Sequence, residues 1–452
     1  MPDTATEPTR ALASFAAGLT LEAIPPRTQA AVKAMLLDAL ACALAGHQGE
    51  ETPQVSLLAG ALGTAPDVSV IGSGRMSLAA ATVLNGFLVT AVTMCDTHRA
   101  TLTHVMPEVL PPALAIAERD GLSGRDLLVA LAAGAEVTTR IGLGLDYPVF
   151  RRKGWHGPGV LGPFGAAAAV GRLRGFDDDT MARAFGLAGS QSAGTFAAWG
   201  TPTVKWHQCR GALSGLMAAL LAETGFVANP EFLTAPDGGL YNTYADGGRP
   251  DLALDGLGER WELETIALRP WPAASNIQGA VTALFDLVER HAIDPAAVRA
   301  VRLAVAKVPF DMHGGFATYK GKFEALLSAH YAAAVILHDR TLTLAQYEPE
   351  RYDAPALRRF AAEKVAVRHD PALSGSETAA EIEMADGTVH ATRIAQPRGA
   401  AENPMSRRQI EDKFRTYAAA RLPASRIDSV IDAVNGLETQ SFVRGLTALL
   451  RG

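Results

Sequence analysis

From residue 11 to residue 268 the chain repeats Ala, Leu and Gly at helical spacing. Almost nowhere there does it alternate apolar and polar residues as a strand would. That pattern restricts the stretch to helices. Ala31 to Ala45 reads AVKAMLLDALACALA and stops at Gly46, which suits a helix C-cap. The spacing predicts further helices at Met76–Met94, Glu108–Glu118, Gly124–Leu143, Leu161–Leu173 and Asp178–Gly189. One more runs from Ala212 to Thr224 and ends at Gly225. So many small side chains allow these helices to pack closely on one another.

The pattern changes at Leu268-Arg269-Pro270-Trp271-Pro272. After a helix through about Ala292, Val298–Val308 alternates like a strand, and Ala325–Leu337 reads as a helix. Val365–Arg368 and Ala380–Met384 are further strands, the second turned at Ala385-Asp386-Gly387 and answered by Thr388–Ile394. The expected fold is mainly α, with a large all-α domain over 1–268 and a smaller α+β domain over 269–403. Helices in 404–452 are expected to return to the first domain.

Bulk properties exclude several functions. A chain of 452 residues exceeds one ordinary core, so two or three domains are expected. A formal charge of -6 gives no electrostatic case for nucleic acid or an anionic membrane. Cys42, Cys95 and Cys209 lie too far apart for a disulfide framework, and three cysteines cannot make a four-cysteine metal site. Met1–Arg10 lacks the features of a signal peptide, and no uninterrupted apolar run reaches about 18 residues. These readings lead us to expect a cytoplasmic, soluble protein.

Three polar loops interrupt the apolar helices. The first, Cys95 to His104, holds Asp96, Thr97, His98 and His104. The second, Arg151 to Gly159, holds Lys153 and His156, and the third, Gly200 to Arg210, holds Lys205, His207 and Arg210. Each leads toward a helix N-terminus, where free N–H groups favour anions. Histidines can transfer protons near pH 7, and Lys or Arg can hold carboxylates. The mixture suits proton abstraction next to a carboxylate, because cations and oriented donors stabilise the charge that develops. A lone histidine is more often structural, but the loop setting evens the odds for His104 and His156. No HExxH or CxxC spacing marks a metal site, and Gly154 to Gly162 matches neither a P-loop nor a dinucleotide fingerprint.

In this order the motifs resemble the MmgE/PrpD family, whose members include 2-methylcitrate dehydratase, cis-aconitate decarboxylase and iminodisuccinate epimerase. The residues concerned are Leu36–Gly46, Asp96-Thr97-His98 with His104, Gly134–Val137, Gly154-Trp155-His156, Gly186–Gln191, Val204–His207 and Asn403–Ser406 with Lys413-Phe414. The resemblance covers nearly the whole chain. It implies a large helical domain, a smaller α+β lid domain, a homodimer, and no metal or organic cofactor. It assigns catalytic roles to Asp96, Thr97, His104, His156 and Lys205, with His104 and His156 moving protons. It places His207, Arg210 and Lys153, with His313, Tyr319 and Lys320 of the lid, around the substrate.

The chain also departs from that pattern. Members commonly carry an acidic residue three positions before Asp96, where this chain has Thr93, and Gln278 stands where many have a histidine. The loop from Asp96 to His104 is one residue longer. The expected activity is that of a cofactor-independent lyase on a small di- or tricarboxylate. An epimerase or isomerase, and a catalytically silent carboxylate binder, are the alternatives.

Overall fold

A computed structural model of the chain describes residues 7–452. These divide into two compact units. The first comprises the residues up to Ala267 together with Ser406–Gly452, and the second is Leu268–Met405. The fold is mainly α with a minor sheet region.

The first unit is built of helices that begin and end where the local chemistry dictates. Ser123 and Asp126 form a reciprocal capping box at the start of the Gly124–Gly144 helix. Asp177 caps Asp178–Gly189, and Gly121, at φ 68°, closes Met106–Asp120. The small residues then allow close crossings. A Cβ on Gly165 would lie 1.8 Å from Thr138 Oγ1, and one on Gly215 would lie 2.4 Å from the Pro163 carbonyl. Alanine at either position would force helices of this core apart.

Two helices, Pro26–Gly46 and Gly124–Gly144, are long and apolar enough by composition to cross a bilayer. Both lie mostly inside the unit, and each carries buried charge. Lys413 of the Arg407–Ala418 helix reaches Asp38 at 2.6 Å and also donates to the Met94 carbonyl at 3.2 Å. Arg140 pairs with Glu136 at 2.6 Å and donates to the carbonyls of Ala253, Asp255, Gly256 and Arg260. Glu136 in turn accepts from the N–H groups of Glu262 and Leu263. Such buried ions persist because every charge has partners.

Short ribbons complete this unit. Strands β1 (Val68–Ser69) and β2 (Arg75–Met76) pair with each other, and so do β3 (Thr97–His98) and β4 (Ile266–Ala267). The second unit holds a four-stranded sheet of β5 (Val298–Val305), β6 (Val365–His369), β7 (Thr378–Met384) and β8 (Val389–Ile394), in the order β6-β5-β7-β8. The β5–β6 pair is parallel and the other two are antiparallel.

Several expected boundaries shift: the strand expected over Val298–Val308 stops at Val305, and the helix expected over Ala325–Leu337 is broken at Ser328. The helix expected over 76–94 ends at Thr90, because Thr93 takes a left-handed φ of 57°. The helix expected from Ala212 begins at Thr203, so much of the third polar loop is helical. Its polar Lys-Trp-His-Gln-Cys-Arg run disguises a first helical turn.

Candidate active site

The segment from Cys95 to His104 is held from several sides. Strand β3 pairs with β4, and the His98 N–H donates to the Thr103 carbonyl at 2.8 Å. His98 is fully buried, with Nε2 at 3.0 Å from Glu262 Oε1 and Nδ1 at 2.7 Å from Thr101 Oγ1. Asp96 is also buried. Its carboxylate accepts from the N–H groups of Val105 (2.7 Å) and Met106 (3.1 Å), capping the helix Met106–Asp120. Asp96 therefore builds the site through backbone contacts.

His104 lies at the end of this segment. Its Nδ1 is 2.6 Å from the Asp96 carbonyl, which can only accept, so Nδ1 carries the proton. Nε2 is then the basic nitrogen. Thr97 Oγ1 lies 3.3 Å from the same Nδ1 and steadies the ring. Thr93 (φ 57°) just before the segment and Leu102 (φ 44°) within it occupy a region that ordinarily costs about 1–3 kcal/mol each. Thr93 is half-buried.

The second histidine, His156, is the N-cap of the Gly157–Leu173 helix, with its backbone N–H donating to the Gly194 carbonyl at 3.0 Å. Its ring Nδ1 meets His207 Nδ1 at 3.0 Å. Phe196 lies edge-on to it at 5.9 Å, and the Arg151 guanidinium sits 3.3 Å over the Phe196 ring. Burial lowers the His156 pKa well below the ordinary imidazole value, and His207, His104 and Arg151 push it further the same way. Burial, aided by Arg210, lowers His207 as well. Both rings are neutral at pH 7 and can accept a proton.

Arg210, expected to contact substrate, uses its guanidinium on protein groups. Its guanidinium donates to the carbonyls of Gln191, Gly159 and Ala193 and to Ser214 Oγ, tying the 191–193 turn to the start of the His156 helix. Lys205 is buried and pairs with Glu51 at 2.9 Å. At about 100° per residue, Lys205 and His207 leave their helix from nearly opposite sides. Lys153 is exposed and pairs with Asp246.

The remaining expected residues belong to the second unit. His313 is buried and its Nδ1 donates to the Leu327 carbonyl at 2.9 Å, while burial holds its pKa down to about 4. Tyr319 is buried edge-on to Tyr331, with Arg358 4.7 Å over its ring, and burial lifts its phenol to about 12. Lys320 is exposed. Gln278 uses its amide N–H groups on the carbonyls of Trp271 and Ala273, so it braces the Pro-rich turn.

Sequence reasoning passed over two acidic residues. Glu51 is the partner of Lys205. Glu108, in the first turn of the Met106–Asp120 helix, is fully buried, and neither carboxylate oxygen has a hydrogen-bond partner. A Cβ on Gly162 would fall 2.1 Å from its Cδ, so that glycine makes the room it occupies. Burial, and next the negative charge of Asp96, raise its pKa well above the usual glutamate range. Only the absence of a side chain at Gly162 hinted at such a neighbour.

A mainly helical unit that seats His104 with a fixed tautomer, and His156 against a second neutral ring, defines a candidate proton-transfer protein. Residues 10–253 match the MmgE/PrpD N-terminal domain and residues 271–438 the MmgE/PrpD C-terminal domain. The chain belongs to the MmgE/PrpD family. Among its relatives is the cis-aconitate decarboxylase-like protein oryM of Aspergillus oryzae, 28% identical over 95% of this chain and 94% of that one. The cis-aconitate decarboxylases of Aspergillus terreus and Homo sapiens are each 26% identical, over 98% of this chain and 95% and 94% of theirs.

Proposed function

We propose that this protein is a lyase acting on a small di- or tricarboxylate of the cis-aconitate or 2-methylcitrate type, by proton transfer at carbon and without a metal or organic cofactor. The observation that carries the reading is the state of the two histidines. His104 is fixed with Nε2 basic, and His156 is held neutral beside His207. Cis-aconitate decarboxylases that match this chain over almost their full length support the same class of chemistry.

In an elimination, one imidazole takes the proton α to a carboxylate. The C–H electron pair becomes the new double bond, and the imidazolium so formed passes that proton to the departing hydroxyl, which leaves as water. In a decarboxylation the C–C pair left by carbon dioxide is protonated instead. Lys205 would take a substrate carboxylate in exchange for Glu51, replacing one oxygen partner by another. Thr93 in place of the usual acid favours chemistry run by histidines alone, which keeps epimerisation as the second reading.

Proton NMR in D2O over citrate, 2-methylcitrate, cis-aconitate, itaconate and iminodisuccinate separates these outcomes. New vinyl signals, or loss of carbon dioxide with deuterium at the former carboxylate carbon, support the lyase. Deuterium wash-in without either indicates epimerisation, and no change with any substrate indicates a binding protein. His104→Ala and His156→Ala are each expected to lower kcat by about 10²–10⁴. Full turnover in both variants would remove these histidines from the mechanism.

A further inference from the structure

We infer that His207 is a positioning residue for His156: the two rings share one proton between their Nδ1 atoms, so that His156 can present Nε2 to a substrate either as a base or as an acid. The inference rests on the reading of His156 as a proton-transfer group and extends it to a residue that reading does not need.

The geometry leaves few alternatives. At 3.0 Å between two Nδ1 atoms, one must donate and the other accept. Two Nδ1–H groups would collide, and two bare nitrogens would repel. In one arrangement His156 carries Nδ1–H and offers a bare Nε2, while His207 carries Nε2–H. Moving the shared proton to His207 requires His156 to take one at Nε2. When a substrate C–H bond breaks toward His156, its electrons stay on carbon and the Nδ1 proton passes to His207, which becomes the imidazolium. Return of the same proton reverses the charge and makes His156 the acid. No other reactant is required.

The surroundings hold His207 to this task. A Cβ on Gly194, at φ 128°, would lie 3.0 Å from its Nδ1, and one on Gly159 would lie 3.2 Å from its Cβ. The space beside the ring is thus made by two glycines, and Arg210 clamps the carbonyls around it. The charged and titratable groups facing the pair are His104 from the first loop, Arg151 from the Tyr147–Arg152 helix, and Arg210 from the helix carrying His207. These are cationic or neutral, so the charged pair is short-lived and gives its proton back readily.

Nitrogen-15 NMR of the full-length protein, labelled at histidine and assigned with single variants, reads the tautomers directly. We expect the His156 and His207 Nδ1 shifts to lie between the protonated and unprotonated values at neutral pH. His207→Phe should return His156 to a single tautomer, lower kcat about 100-fold and alter the acid limb of the pH profile. His207→Asn, whose amide can still face Nδ1, should recover part of that loss. Two Nδ1 atoms at ordinary, unshared shifts would overturn the inference, as would a wild-type pH profile in His207→Phe. If His156→Ala stays fully active while the shared shifts are observed, the reading of His156 fails and the shared proton stands.

Discussion

At the scale of single residues, the chemistry depends on which hydrogen-bond partner each side chain has. His104 is a base at Nε2 because a carbonyl, which can only accept, takes its Nδ1–H. Burial lowers the pKa of both His156 and His207, so the acid limb of kcat/KM is expected below pH 6.5, read from rates between pH 4.5 and 8. Glu108 gives a separate prediction about stability. Its carboxyl keeps its proton in the fold, whereas the unfolded chain loses it near the ordinary value of 4.5. Below that pH both states are protonated and the group adds no pH dependence. Above it the unfolded state releases a proton that the fold retains, so stability falls as pH rises toward the raised value. Glu108→Gln should therefore be more stable than wild type at pH 8 and about equal at pH 4, as urea titrations at the two pH values would show.

Between elements, the informative contact is Lys413 with Asp38 and the Met94 carbonyl. It joins the C-terminal Arg407–Ala418 helix to the Pro26–Gly46 helix at the entrance to the Cys95–His104 segment. Lys413→Met leaves Asp38 as a buried charge without its cation, and a loss of about 3–5 kcal/mol is expected from denaturant unfolding. Adding Asp38→Leu should restore much of it. Other helices were largely legible in the sequence: Asp178–Gly189 has the bounds its spacing predicts. The first turns of the helix carrying Lys205 and His207 were not, because they bury polar side chains and lack an apolar stripe.

For the molecule as a whole, the return of Ser406–Gly452 to the first unit has a mechanical consequence. The Gly72 N–H donates to the Leu450 carbonyl at 2.7 Å, Val443 N–H to the Leu122 carbonyl at 2.8 Å, and Arg451 pairs with buried Glu118 at 3.2 Å. Truncation after Met405 should leave the helical unit unable to fold, giving insoluble or protease-sensitive chain, although the three polar loops lie entirely upstream. By itself the sequence determined the mainly helical class, the place where its pattern changes near residue 268, and the histidines worth examining. Periodicity and capping are local, so one chain segment at a time is enough to read them. The structure alone decided which groups meet. It set His207 against His156 across 51 positions, gave the Asp96 carboxylate to backbone N–H groups, and buried Glu108 against Gly162. Those pairings depend on how helices distant in sequence cross, and hydrogen-bond partners, unlike periodicity, exist only after the crossing is made.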